Sequence, residues 1–212
     1  MISHHPADET LAAYAAGTLD EGSAFVIAAH LALCPACRKA VRDFECIGGA
    51  LLGAAEPVHL GRLSEGSVMQ EPAEVEQRLL PVPGPAGAGA AVDRLISVYG
   101  RGPWKWRGFG VQSAEVAVPV EDGVRVFLLK AAAGTHMPQH THSGVELTLV
   151  LKGAFEHRFG RFQAGDLEEA DDSIDHRPLV DKSSECICLV AMSGQLQLQG
   201  LAGKILQPFV RL

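Results

Sequence analysis

The stretch Gly134 to Gly153, GTHMPQHTHSGVELTLVLKG, places the tightest limits on what this chain can fold into. It carries His140, His142 and Glu146, and the flanking segments Val124 to Lys130 and Val145 to Lys152 are rich in Val and Leu, which predicts strands. Side chains alternate faces along an extended backbone, so His140 and His142 project the same way and form a two-imidazole claw. Ser143 and Gly144 predict a turn, after which Glu146 returns on the neighbouring strand to the same spot. Two imidazoles and a carboxylate on strands suit Zn, Fe, Mn, Ni or Cu and do not choose among them. The plainer reading is a strand surface on which these His merely sit.

A second ligand-like pattern lies near the N-terminus: HxxxCxxC, at His30, Cys34 and Cys37. Residues 7 to 54 are rich in Ala, Leu and Glu and lack strand-like alternation, so they predict a small helical bundle. Asp8 is the expected cap of a first helix bearing Leu11, Tyr14 and Ala15 and ending near Gly17. Asp20 or Ser23 starts a second through Phe25 and Ala29, and Pro35 separates it from a third, Ala36 to about Leu52. Fewer than about 60 residues make a marginal core, which a structural metal would help to close. His30 and Cys34 share a helical face and Cys37 follows across the turn. Structural zinc takes four ligands, and the fourth donor available is His5 or its neighbour His4. For CxxC alone, a redox pair or two unrelated thiols is the alternative.

Charge is divided unevenly. Residues 1 to 93 hold 5 Lys and Arg against 12 Asp and Glu, whereas residues 94 to 212 hold 13 of each. An acidic segment is badly placed to bind phosphates but suits a protein whose own surface is basic because it contacts nucleic acid; ordinary solubilising charge is the alternative. The start MISHHPADET lacks the pattern of a secretory signal and the apolar runs are too short to span a bilayer, so a soluble cytoplasmic protein is expected. Five Cys, an odd number, fit reduced thiols or metal ligands rather than a secreted disulfide framework.

Along the chain, residues 63 to 80 carry a weak helical pattern, and PVPGPAGAGAAVD, residues 81 to 93, is expected as a linker. It divides a helical domain, 1 to 80, from a strand-rich domain, 94 to 212. Val111 to Val120, Val124 to Lys130, Val145 to Lys152, Phe155 to Phe162, Glu185 to Met192 and Gln195 to Gln199 are the expected strands. Cys186 and Cys188 share a strand face with Val190 and are expected as small core residues, as is Cys46 beside Phe44 and Ile47.

Gly134, His140, His142, Glu146 and Gly153 occupy every fixed position of the first motif of the cupins, which this part of the chain resembles. Gly165 and His176 keep the Gly-to-His spacing of the second cupin motif, although Asp171, Ser173 and Val180 replace its Pro, second Gly and terminal Asn. The resemblance implies a jelly-roll barrel and a metal held by His140, His142, Glu146 and His176: Zn2+ or another divalent transition metal. The first part, HHPADETLAAYAAGTLDE followed by HLALCPAC, resembles the zinc-binding anti-sigma domain. Both parts in this order resemble the ChrR-type anti-sigma factors, over essentially the whole chain. That likeness implies Zn2+ on His5, His30, Cys34 and Cys37, with His4 the less favoured neighbour. The fold class expected is therefore α+β and multidomain: a zinc-bound helical bundle, then an all-β cupin.

By the same resemblance the chain is expected to bind and inhibit an extracytoplasmic-function sigma factor, without catalysis and without contacting nucleic acid or membrane itself. The cupin is expected to receive an oxidative signal, singlet oxygen or an organic peroxide, that releases the sigma factor. The opposing reading is a cupin dioxygenase or isomerase using Fe or Mn at the same ligands, its helical segment serving oligomerisation. A third is a direct redox switch in which Cys34 and Cys37 oxidise and expel zinc.

Overall fold

The computed structural model describes residues 2–57, 88–108, 110–120 and 123–199. Three helices open the chain: α1 (Asp8–Ala15), α2 (Glu21–Leu33) and α3 (Pro35–Ala54). The Asp20 carboxylate accepts the Ser23 N–H at 2.9 Å and so caps α2, and Pro35 occupies the first turn of α3, where its missing N–H costs nothing. Gly17, at φ 68°, turns the chain out of α1. Asp8 is the first residue of α1 instead of its cap: Ala7 takes the cap position without a side-chain bond, and Asp8 acts through its charge in the first turn.

A fourth helix, α4 (Ala88–Tyr99), includes residues 88–93 of the expected linker and the first residues of the expected strand region. Val92 and Ile96, four apart, are buried on one face, and that apolar spacing draws the Ala-rich stretch into a helix despite Gly89. The helix expected over 63–80 and linker residues 81–87 lie outside the described residues.

Among the described residues eleven strands follow: β1 (Lys105–Gly108), β2 (Val111–Glu115), β3 (Val124–Ala131), β4 (His140–His142), β5 (Glu146–Lys152), β6 (Ala154–His157), β7 (Gly160–Gln163), β8 (Leu167–Ala170), β9 (Leu179–Val180), β10 (Cys186–Ser193) and β11 (Leu196–Leu198). They form a six-stranded sheet, β1-β2-β3-β10-β5-β8, facing a three-stranded sheet, β7-β6-β9, and the pair β11-β4. Every pairing is antiparallel, giving a double-sheet cupin barrel. The single strand expected over Phe155 to Phe162 is a hairpin, β6 and β7, turned at Arg158 and Phe159.

Both faces of the large sheet are buried, which is why β3 and β10 read as nearly continuous apolar runs. Phe127, Val150, Cys188 and Val190 point into the barrel with Phe155 and Phe162. Val126, Leu128, Leu149, Leu189 and Ala191 point outward and join Phe25, Val26, Ile27 and Ala29 of α2 in one core. The helical domain and the barrel are therefore not separately packed bodies. Helix α2, apolar nearly all round, is buried because it lies between α1, α3 and α4 on one side and the sheet on the other. Gly153, at φ 74°, makes the turn from β5 to β6, and any side chain there would collide with the Glu185 carbonyl.

Candidate metal centres

At the N-terminal end of α3, two helices and an extended arm bring four donors together. His5, His30, Cys34 and Cys37 each offer a ligand atom, all within 4.8 Å of one another. His30 and Cys34 come from the last turn of α2 and the residue capping it, Cys37 from the first turn of α3, and His5 from the arm before α1. His30 Nε2 lies 3.3 Å from Cys37 Sγ, and His5 Nδ1 lies 3.3 Å and 3.5 Å from Cys37 Sγ and Cys34 Sγ. Zn–S bonds of about 2.3 Å and Zn–N bonds of about 2.0–2.1 Å in a tetrahedron put ligand atoms roughly 3.3–3.8 Å apart, so two imidazoles and two thiols fit zinc here. Burial, followed by the neighbouring His5, pushes the His30 pKa down to about 4, which keeps the imidazole neutral as a ligand must be. Burial pushes the Cys37 thiol up to about 12, helped by its hydrogen bond with Cys34; a cation at this spot reverses that penalty.

His4 does not share this site. Its ring packs on Phe162 at 4.2 Å and its Nδ1 stands 3.5 Å from Asp166, because successive residues of the extended arm face opposite ways.

Inside the barrel, β4 delivers His140 and His142 to one face, as their spacing predicts, and the chain after β8 delivers His176 beside them. His176 Nε2 stands 3.0 Å from His140 Nε2 and 3.3 Å from His142 Nε2. His140 donates its Nδ1 proton to the Pro138 carbonyl at 2.7 Å, and His176 donates its own to Glu168 Oε1 at 3.1 Å. Both Nε2 atoms thus carry lone pairs aimed at each other, an arrangement that a cation between them stabilises. Metal–nitrogen bonds of about 2.0–2.1 Å place such atoms roughly 2.8–3.4 Å apart, which the observed spacings fit. Burial, then repulsion from His176, lowers the His140 pKa to about 4. Glu146 lines the same cavity, but its carboxylate lies against His142 Nδ1 at 3.4 Å and accepts the Thr148 hydroxyl at 2.8 Å, outside the group formed by the three Nε2 atoms.

The cavity beside the imidazoles, about 60 Å³, has Glu146, Thr148 and Glu168 in its wall and is elsewhere lined by apolar residues such as Phe127, Leu129, Met137 and Phe155. Cys186 and Cys188 line it too, their Sγ atoms 3.7 Å apart, so these two core residues also face the imidazole site. Cys46 is exposed on α3 and is not part of the core, because only the first half of that helix packs against its neighbours.

Residues 96–197 match the family described as the ChrR cupin-like domain, and residues 6–38 match one described as a putative zinc-finger. The anti-sigma-E factor ChrR of Cereibacter sphaeroides is 37% identical over 214 residues, covering 100% of this chain and 99% of that protein. This chain belongs to the ChrR family of anti-sigma factors. The crystal structure of Rhodobacter sphaeroides SigE in complex with the anti-sigma ChrR matches with a TM-score of 0.68 and 38% identity, over 91% of this chain and 100% of that one. Among the described residues of this ChrR-family chain, no helix is long and apolar enough to cross a membrane.

Sequence reasoning missed three residues that support these centres. Glu168 accepts both His176 Nδ1 and, at 2.7 Å, His157 Nε2; burial works to raise its pKa, but the two hydrogen bonds hold it down at about 2. Asp166, fully buried, accepts the backbone N–H groups of Ser3 at 2.6 Å and His4 at 3.1 Å. The available signal was the run GDLEEAD, four carboxylates within six residues, interrupted by Leu167 and Ala170.

Proposed function

We propose that this chain inhibits an extracytoplasmic-function sigma factor by packing its zinc-bound helical domain against it, and frees it when the cupin receives an oxidant. The observation that carries the reading is the convergence of His5, His30, Cys34 and Cys37 in a helical domain seated on the cupin sheet, in a chain of the ChrR family. Zinc on these four residues would tie the N-terminal arm to the α2–α3 corner. The excess acid of residues 1 to 93 and the exposed apolar positions Ile47, Leu51 and Leu52 of α3 suit a basic partner with an apolar patch. His140, His142 and His176 would hold a divalent transition metal, with Glu146 beside His142 as the fourth candidate ligand. Oxidation by singlet oxygen or an organic peroxide strikes the imidazoles or the thiols of Cys186 and Cys188, in one small cavity, and the altered barrel loosens its hold on the helices. The protein acts in the cytoplasm, where sigma factors meet polymerase, and performs no catalysis of its own.

The test is co-purification. A tagged sigma factor from the same genome should retain this chain stoichiometrically with zinc, and the complex should be lost on changing Cys34 and Cys37 to Ser. No complex with any candidate sigma factor, together with redox-active iron in the barrel, would overturn the reading in favour of a cupin enzyme.

A further inference from the structure

Strand β8 and the turn before it touch both metal centres. Gly165 offers its carbonyl to His30 Nδ1 at 3.1 Å. Asp166 Oδ1 holds the N–H groups of Ser3 and His4, while Oδ2 accepts the Gln163 N–H at 2.9 Å and so ties the arm to its own turn. The Leu167 N–H donates to the His4 carbonyl at 3.2 Å, so the arm carrying His5 lies along the free edge of the six-stranded sheet. Glu169 accepts the Ala7 N–H at 3.1 Å and the Thr10 hydroxyl at 2.7 Å, anchoring the start of α1. Between Leu167 and Glu169, Glu168 faces the opposite way and holds His176 and His157 inside the barrel.

We infer that residues 165 to 169 form a positioning segment common to the two centres, through which a change at the barrel imidazoles alters how firmly the helical site is held. The inference rests on the reading proposed above and adds to it the physical route between the domains. His30 owes its free Nε2 to the Gly165 carbonyl, and His5 owes its place to an arm anchored by Asp166 and Leu167. His176 owes its free Nε2 to Glu168, two residues from Asp166 on an extended backbone with little slack. Loss of the carboxylate contact at His176 lets the strand shift, and the shift reaches the arm directly.

The experiment uses the full chain loaded with zinc and follows transfer of zinc from the thiolate site to a chromogenic chelator, with cobalt substitution reporting the sulfur-to-metal absorption band. Asp166→Ala is expected to speed release by about tenfold to a hundredfold. Ser3→Pro removes both the backbone N–H and the hydroxyl that Ser3 gives to Asp166, without entering the barrel, and should act in the same direction even if Asp166→Ala folds poorly. Glu168→Ala, on the barrel side, should speed release from the helical site by about twofold to thirtyfold, and Glu168→Gln, which keeps the oxygen acceptor, should restore most of the wild-type rate. Wild-type release from Ser3→Pro and a folded Asp166→Ala overturns the inference at the helical end. Faster release from these two with no effect of Glu168→Ala overturns the coupling. A chain that holds no metal on Cys34 and Cys37 sinks both this inference and the zinc reading, whereas failure to bind a sigma factor would sink the proposed function and leave these rates untouched.

Discussion

His30 donates its Nδ1 proton across the domain boundary to the carbonyl of Gly165, 3.1 Å away in the turn before β8. The bond belongs to a wider contact in which Val26 and Ile27, fully buried, fill the surface of the large sheet. A shared core predicts shared unfolding. Ile27→Ala should cost about 2–5 kcal/mol and lower the urea midpoint of the helical circular-dichroism signal and of the tryptophan fluorescence together. Two separated transitions, only one of them moved, would show that the domains fold independently.

The helical centre is expected to need all four donors. Cys34→Ser or Cys37→Ser should lose the zinc of that site while the barrel keeps its own metal, measured by elemental analysis of the purified chain. Helical content should fall with it, since the arm and the α2–α3 corner lose their common anchor. His4→Ala should leave zinc content unchanged, because His4 packs on Phe162 and Asp166.

Gly153 gives a stability test that involves no ligand. Its φ of 74° disfavours any side chain, and a Cβ would strike the Glu185 carbonyl. Gly153→Ala should therefore destabilise the barrel by about 1–3 kcal/mol or more, read from thermal unfolding. A variant as stable as the wild type would mean that the β5–β6 turn has a second conformation available.

Much of this architecture was legible because its signals are local. HxH on a strand brings donors together through backbone geometry alone, HxxxCxxC does so across the short α2–α3 corner, and Asp20 and Pro35 mark helix starts by chemistry confined to one turn. Asp166, Glu168 and His157 were not legible, since their partners lie 162, 8 and 11 residues away or more and are chosen by the way the arm and barrel close. That the helical and strand-rich parts share one core was hidden for a related reason. A Pro- and Gly-rich stretch announces a connection, but not whether the bodies it connects share a core. The relevant hint was α2 itself, EGSAFVIAAHLAL, too apolar all round to have a free face.

The second half of α3 makes the remaining prediction. Ile47, Leu51 and Leu52 are 57%, 69% and 78% exposed, although they lie on a helix whose first half is well packed. Ile47 and Leu51 are four apart and share one face. Apolar side chains so placed contribute little to the fold of the free chain, and surface changes of this kind usually stay within about 0.5 kcal/mol. They are instead the residues that a partner would bury. A triple change to Ser should leave the melting temperature and zinc content unchanged while weakening sigma-factor binding by about thirtyfold or more, the loss of at least one interface hot spot of about 2 kcal/mol. Calorimetric titration of a sigma factor into both proteins measures this. Unchanged affinity would move the contact surface off α3, and a fall in stability equal to the fall in affinity would mean that these residues hold the helix rather than the partner.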